Sequence, residues 1–307
     1  NMKKLFPFFL SLSLILSSCA QTSIPEEEVV STQSHRSYEI EVTSDPSTFE
    51  TGMDGVFTYK IKNDLGEVLK DFEVAHEKIM HFILVRKDLQ EFQHVHPTYN
   101  ENSGEFSINL VFAEAGPYRL FPDFTPGADN LQQLPVTLSY DLDVGDTSAY
   151  VSENLLANTL PVDMAESYEV EYTFDQLNLE PQGPVEYTLT IKKNGQIVDT
   201  LEPYLGAMGH SVILREGAVD FIHAHAESAG HDMSSMGEMS ETSSISFATN
   251  FPEAGMYKIF TQFQHEEKVV TTEYIIEVGG LEEAASQAET SDQEEPVLEM
   301  DHSMMGH

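Results

Sequence analysis

Polar and apolar positions alternate along most of this chain at a period of two, the period of β-strands rather than helices. Tyr38-Glu39-Ile40-Glu41-Val42 alternates strictly. Residues 55–61 follow, closed by a turn at Asn63-Asp64-Leu65-Gly66, and then residues 105–112, 116–121 and 136–144. A second series runs through residues 168–174, 185–192, 244–248, 256–263 and 269–278, with the hairpin signal Asn194-Gly195 after its second member. Strand-like segments spaced by about ten residues and parted by turn residues predict antiparallel sandwiches. The series are copies of each other. Glu114-Ala115-Gly116-Pro117-Tyr118-Arg119-Leu120-Phe121 returns as Glu253-Ala254-Gly255-Met256-Tyr257-Lys258-Ile259-Phe260, which marks an internal duplication of about 110 residues. The expected fold is all-β, with two tandem antiparallel β-sandwich domains at residues 37–147 and 167–280. Residues 148–166 join them and are expected to hold one short helical turn near residues 153–157.

The repeat carries its candidate chemistry in two hairpins, HFILVRKDLQEFQHVH from His81 to His96 and HSVILREGAVDFIHAH from His210 to His225. In each, two apolar runs flank a short polar break. Side chains two apart on a strand share a face, so His94 points with His96, and His223 with His225. With turns at Asp88-Leu89 and Gly217-Ala218, His81 stands opposite His96 and His210 opposite His225, at β-carbon separations of roughly 4.5–5.5 Å. Three imidazoles then converge in each copy, a metal site in outline. Nearby donors extend the set. His76 and Met80 precede the first hairpin, Met208 precedes the second, and His265 follows on a late strand where the first copy has Pro126. Core packing is the competing role for Met80 and Met208. Imidazole suits copper, zinc and nickel, and a thioether favours Cu(I), so histidine with methionine and no cysteine leans to copper. Binding needs neutral imidazole and is expected to weaken below about pH 6.

The ends of the chain set its expected location. Lys3 and Lys4 precede an apolar run over residues 5–16, too short to span a bilayer, so residues 1–18 read as a secretion signal. Leu16-Ser17-Ser18-Cys19 resembles the lipobox of bacterial lipoproteins, in which the cysteine carries the lipid; Cys19 is the only cysteine in the sequence. Residues 19–36 are polar and acidic and read as a disordered, lipidated tether. The expected place is the bacterial cell envelope, on the exported side, with the membrane reached through the N-terminal lipid. One cysteine also excludes an internal disulfide or a cysteine-based metal site. Acidic residues number 52 against 15 basic, a formal net charge of −37, which excludes nucleic acid as a partner. A 40% apolar content over 307 residues suffices for two cores.

Two further segments carry donors in settings too polar for a core. Residues 231–239 hold His231, Met233, Met236 and Met239, and the end of the chain holds His302, Met304, Met305 and His307 after a disordered acidic run, within a tail of residues 281–307. They resemble the Met/His-rich segments of bacterial copper-resistance proteins. Phe92-Gln93-His94-Val95-His96-Pro97 after Met80-His81, and Tyr204 through His210 before Phe221-Ile222-His223-Ala224-His225, resemble motifs of the YtkA-like group of exported bacterial proteins. That resemblance implies immunoglobulin- or cupredoxin-like sandwiches, copper handling, and a metal role for His81, His94, His96, His210, His223 and His225. The second copy departs from the pattern with Ala226 in place of Pro97. A blue-copper site is not implied, because it needs a cysteine thiolate. The expected function is copper sequestration or delivery, by copper as Cu(I) or Cu(II), with an envelope copper-handling protein as partner. A zinc scavenger and a metal-free adhesion or partner-binding module are the alternatives. No Ser/His/Asp arrangement, phosphate loop or paired carboxylates point to an enzyme, although a three-histidine ion with an open position could activate water.

Overall fold

The computed structural model describes residues 37–45, 49–127, 134–226 and 244–280. The strands of the first copy are β1 (Tyr38–Val42), β2 (Asp54–Asn63), β3 (Phe72–Glu73), β4 (His81–Arg86), β5 (Phe92–Val95), β6 (Thr98–Asn100), β7 (Glu105–Val111), β8 (Gly116–Pro126), β9 (Val136–Thr137) and β10 (Tyr140–Val144). Those of the second are β11 (Val162–Ala165), β12 (Tyr168–Phe174), β13 (Pro184–Lys193), β14 (Gln196–Ile197), β15 (His210–Arg215), β16 (Phe221–His225), β17 (Ser244–Asn250), β18 (Gly255–His265) and β19 (Lys268–Val278). All of their pairings are antiparallel. Each copy is a two-sheet sandwich. In the first, the sheet β1-β2-β7-β6 faces β10-β8-β4-β5; in the second, β11-β12-β13, with β14 and β17 on β13, faces β16-β15-β18-β19.

The alternation in sequence becomes alternation in burial. β2 reads exposed and buried by turns, with Phe57, Tyr59 and Ile61 inward, and β13 does the same with Val185, Tyr187, Leu189 and Ile191. Asn194 and Gly195 take φ of 54° and 76°, the left-handed pair that a two-residue type I′ turn needs, and Lys193 pairs with Gln196 across them. The repeated EAGxY segment has a definite job. The Tyr118 hydroxyl donates to the Glu114 carbonyl at 2.8 Å, and the Tyr257 hydroxyl donates to the Glu253 carbonyl at 2.8 Å. This is the tyrosine corner that pins a strand to the preceding loop in immunoglobulin-like sandwiches.

Three details differ from expectation. No helix forms at residues 153–157; a 3-10 turn lies earlier, at Thr147–Ala149, capped by the Asp146 carboxylate accepting from the Ser148 amide. The segment between the copies instead runs extended, with Leu155 buried, and its end is already a strand, because β11 pairs with β12. β8 continues past Phe121 to Pro126, through Pro122, and there pairs with both β4 and β9. Among the described residues no helix is long and apolar enough to cross a membrane. The expected signal, Cys19 tether and acidic tail lie outside the described residues, as do His231, Met233, Met236, Met239, His302, Met304, Met305 and His307.

The described residues belong to one compact unit, and a third apolar cluster explains why. β4 is buried at all six positions, on both faces, and β15 at five of six. Phe82 and Leu84 point into their own sandwich, while Ile83 and Val85 join Val212, Leu214, Phe121 and Phe260 in a layer drawn from both copies. The hairpin sheets therefore pack outer face on outer face. Contacts across this layer come in matched pairs, as two related halves demand. Phe92 stacks on Phe260 at 4.2 Å between ring centres, and its counterpart Phe221 lies 5.1 Å from Phe121. Lys258 Nζ donates to the Leu89 carbonyl at 2.8 Å, and the equivalent Arg119 donates to the Ala218 carbonyl at 3.1 Å.

Candidate metal centre

The hairpin registers place the histidines on the faces that meet. Ile83 pairs with His94 in the first hairpin, which sets His81 opposite His96, and His210 pairs directly with His225 in the second. His81 and His94 share a face with Ile83 and Val85, so the imidazoles line the layer between the sandwiches rather than the solvent. The side chain of His225 lies outside what is described.

His81, His94 and His96 bring one ring nitrogen each within 4.8 Å of one another. His81 Nδ1 lies 3.0 Å from His94 Nε2 and 3.3 Å from His96 Nε2. Donor atoms around a tetrahedral ion with bonds of 2.0–2.1 Å stand roughly 3.3–3.4 Å apart, so these separations fit one ion between them. The remaining nitrogens fix the tautomers. His81 Nε2 donates to the Ala75 carbonyl at 3.2 Å, and His94 Nδ1 donates to Gln262 Oε1 at 2.8 Å. In the neutral rings both facing nitrogens, His81 Nδ1 and His94 Nε2, are then lone pairs. Two lone pairs at 3.0 Å cannot hydrogen-bond to each other and gain by a cation between them.

Burial supplies neutral ligands. Desolvation lowers His81 to about 3, helped by repulsion from His223 and His96, and lowers His96 to about 4, helped by Lys78. Burial and the neighbouring His81 and His96 hold His94 well below its ordinary value. Protons therefore compete for this site at a lower pH than the value near 6 expected of free histidines. The reason is the dry interface, which sequence spacing does not disclose.

The two expected sites form one cluster. His81 lies 5.5 Å from His223 and 6.4 Å from His210 between ring centres, and His76 lies 5.2 Å from His210. His210 Nε2 donates to the Leu205 carbonyl at 3.1 Å, and His223 Nδ1 donates to the Asp123 carboxylate at 2.8 Å. Asp123 also accepts from the Thr137 hydroxyl at 2.8 Å. Burial works to raise its pKa, but the bonds from His223 and Thr137 outweigh that and hold the carboxyl below its ordinary value. Asp123 and Gln262 occupy equivalent positions of the repeat, and each steadies the central histidine of the other copy's hairpin. Neither was singled out from sequence. The only signal is that each falls two residues beyond the repeated EAGxY octet, on the strand beside the first histidine of its own copy. A cavity of about 230 Å³ opens against the cluster, lined by His76, His81, His223, Asp123, Lys78 and Phe221 among others.

Two other expected donors, Met80 and His265, stand apart. Met80 is buried in the apolar core of the first sandwich and is a packing residue, since its strand neighbour His81 takes the opposite face. His265 has both ring nitrogens engaged, with the Tyr168 hydroxyl at 2.8 Å and the Thr200 hydroxyl at 3.2 Å, and closes the edge of the second core instead of joining the cluster. Met208 is 37% exposed. The trio that the described residues bring together, His81, His94 and His96, is all imidazole.

Fold and site together define a tandem immunoglobulin-like β-sandwich protein with a polyhistidine cluster where its two copies meet. The chain belongs to the family described as a domain of unknown function (DUF8832), which it matches twice, at residues 33–141 and 163–280. No curated protein matches it. Among solved structures it is similar to the Escherichia coli adhesin FdeC, at 13% identity over 79% of this chain and 64% of that one, with a TM-score of 0.24. Trypsin-activated alpha-2-macroglobulin from Escherichia coli matches at 9% identity over 79% of this chain and 15% of that one, with a TM-score of 0.24. The fibronectin(III)-like modules of Clostridium thermocellum CbhA match at 9% identity over 78% of this chain and 93% of theirs, with a TM-score of 0.20.

Proposed function

We propose that this protein binds a transition-metal ion, copper as the first choice, through His81, His94 and His96, and that it holds the ion for sequestration or delivery in the cell envelope. The observation that carries the reading is the pair of lone-pair nitrogens facing each other at 3.0 Å, each oriented by an oxygen acceptor on its far side. Such outer partners are the usual supports of metal-bound histidine. Three protein ligands leave a fourth position open, which suits an ion that must be passed on. The Met/His-rich residues 231–239 and 300–307 and the resemblance of the hairpin motifs to the YtkA-like group favour copper, and the lipobox-like Leu16–Cys19 segment favours anchorage at a membrane.

Zinc is the second reading, because the donor set is all nitrogen. Cu(II) and Zn(II) both suit three imidazoles, whereas the sulfur that would mark Cu(I) is missing from the trio. Equilibrium competition of the full chain against chelators for Cu(II), Cu(I) and Zn(II) separates the two. Tight binding of one ion is expected, lost in the His94→Ala/His96→Ala double variant. Unchanged tight stoichiometry in that variant refutes the site.

A further inference from the structure

We propose that His76, His210 and His223 hold a second transition-metal ion, in a centre assembled from both copies of the repeat beside the first. The proposal extends the reading of the His81 trio and rests on it for the class of ion. Four observations carry it.

Ring centres are the first. Imidazoles around one tetrahedral ion with bonds near 2.0 Å have their centres about 5 Å apart. The first trio stands at 5.3, 5.0 and 5.0 Å, and the second at 5.2 Å for His76 with His210, 6.0 Å for His210 with His223 and 6.2 Å for His76 with His223. The second set is the wider and must draw in to bind.

Tautomers are the second. His210 donates from Nε2 to the Leu205 carbonyl and His223 donates from Nδ1 to Asp123, so in the neutral rings that an ion requires, the coordinating nitrogens are Nδ1 of the one and Nε2 of the other. A buried carboxylate behind a histidine is the support that sharpens a metal ligand and adds negative charge to the centre. The first centre has a neutral amide, Gln262, in the equivalent place.

The third is the turn that presents His76. Ala75 and Lys78 bond each other across His76 and Glu77, which take φ of 50° and 65°. The second copy makes the same turn between Tyr204 and Ala207 with Leu205 and Gly206. Left-handed backbone at two consecutive residues favours glycine or asparagine, so a histidine and a glutamate there are held at a cost. The strained turn carries His76 away from its own trio, 6.1 Å from His81, and closer to His210 of the other copy. The fourth is access: His76 and His223 both line the cavity, which gives an ion a way in.

Co(II) titration of the full chain tests the assignment, because tetrahedral imidazole sites absorb strongly in the visible while octahedral sites in polar segments absorb weakly. Two strongly absorbing equivalents are expected, the wider centre filling second. His94→Ala/His96→Ala removes the tight equivalent. His76→Ala, at a half-buried turn where no core is opened, removes the weaker one and leaves the tight one, and His223→Ala does the same. A single strong equivalent in the unaltered chain, lost with His94 and His96, overturns the second centre while the first stands. Retention of the second equivalent in both His76→Ala and His223→Ala overturns it too. A single strong equivalent in the unaltered chain that survives His94→Ala/His96→Ala but is lost in His76→Ala and His223→Ala would sink the His81 reading and leave this centre standing.

Discussion

Acidification of the metal-free protein should destabilise it well above the pH at which its carboxylates titrate. His81 has an ordinary pKa of 6.5 in the unfolded chain and about 3 in the fold. The unfolded state therefore binds the proton more readily, and stability falls as pH drops through 6.5 toward 3. From pH 7.5 to 5, the unfolded His81 becomes almost fully protonated while the folded one stays neutral, a loss of about 2 kcal/mol. His96 and His210, lowered to about 4 by burial first, act in the same direction. Their losses overlap with that of His81, because part of each shift is repulsion between neighbouring rings. Asp123 adds nothing in this window, since its carboxyl sits below an ordinary value of 3.8 and its contribution is lost only at lower pH. The assay is urea unfolding followed by circular dichroism, in chelator, at pH 7.5, 6.5, 5.5 and 5. With a slope of roughly 2 kcal/mol per molar urea, the midpoint should fall by about 1 M or more. His81→Ala should be less stable at pH 7.5 but flatter across the series. Equal midpoints at pH 7.5 and 5 would mean that the cluster is wet and protonates freely, which refutes the dry-interface account.

Phe260→Ala removes the ring stacked on Phe92 and opens the layer between the sandwiches. A cost of about 3–5 kcal/mol is expected, with weaker metal binding, since the histidines line that same layer; thermal unfolding with and without metal measures both. Gln262→Leu leaves the trio in place but takes away the acceptor that fixes His94. Metal affinity should fall by about 10–100-fold with little change in fold, read by chelator competition.

The hairpins were legible because turn residues and alternation fix register locally. Leu89 and Ala218 do take left-handed conformations in the turns, with φ of 61° and 53°, and His210 stands opposite His225 as the spacing requires. The joining of two sites into one cluster was not read, although its signal is present. The runs Phe82-Ile83-Leu84-Val85 and Val212-Ile213-Leu214 do not alternate, as strands covered on both faces do not. Phe92 and Phe221 share their faces with the histidines, which marks those faces as dry. Asp123 stayed hidden for another reason. Pro122 and Pro126 argue for the end of a strand, yet β8 runs through Pro122 as far as Pro126 and so carries Asp123 to His223. Tertiary partners of this kind have no spacing signature within either copy.

X-ray absorption of the full chain carrying one equivalent of Cu(II) or Zn(II) tests the central claim most directly, since it counts the donors around the bound ion. Three imidazole nitrogens at about 2.0 Å, disappearing in the His94→Ala/His96→Ala variant, are predicted. A first equivalent surrounded by sulfur near 2.3 Å, or by oxygen without imidazole scattering, would contradict it.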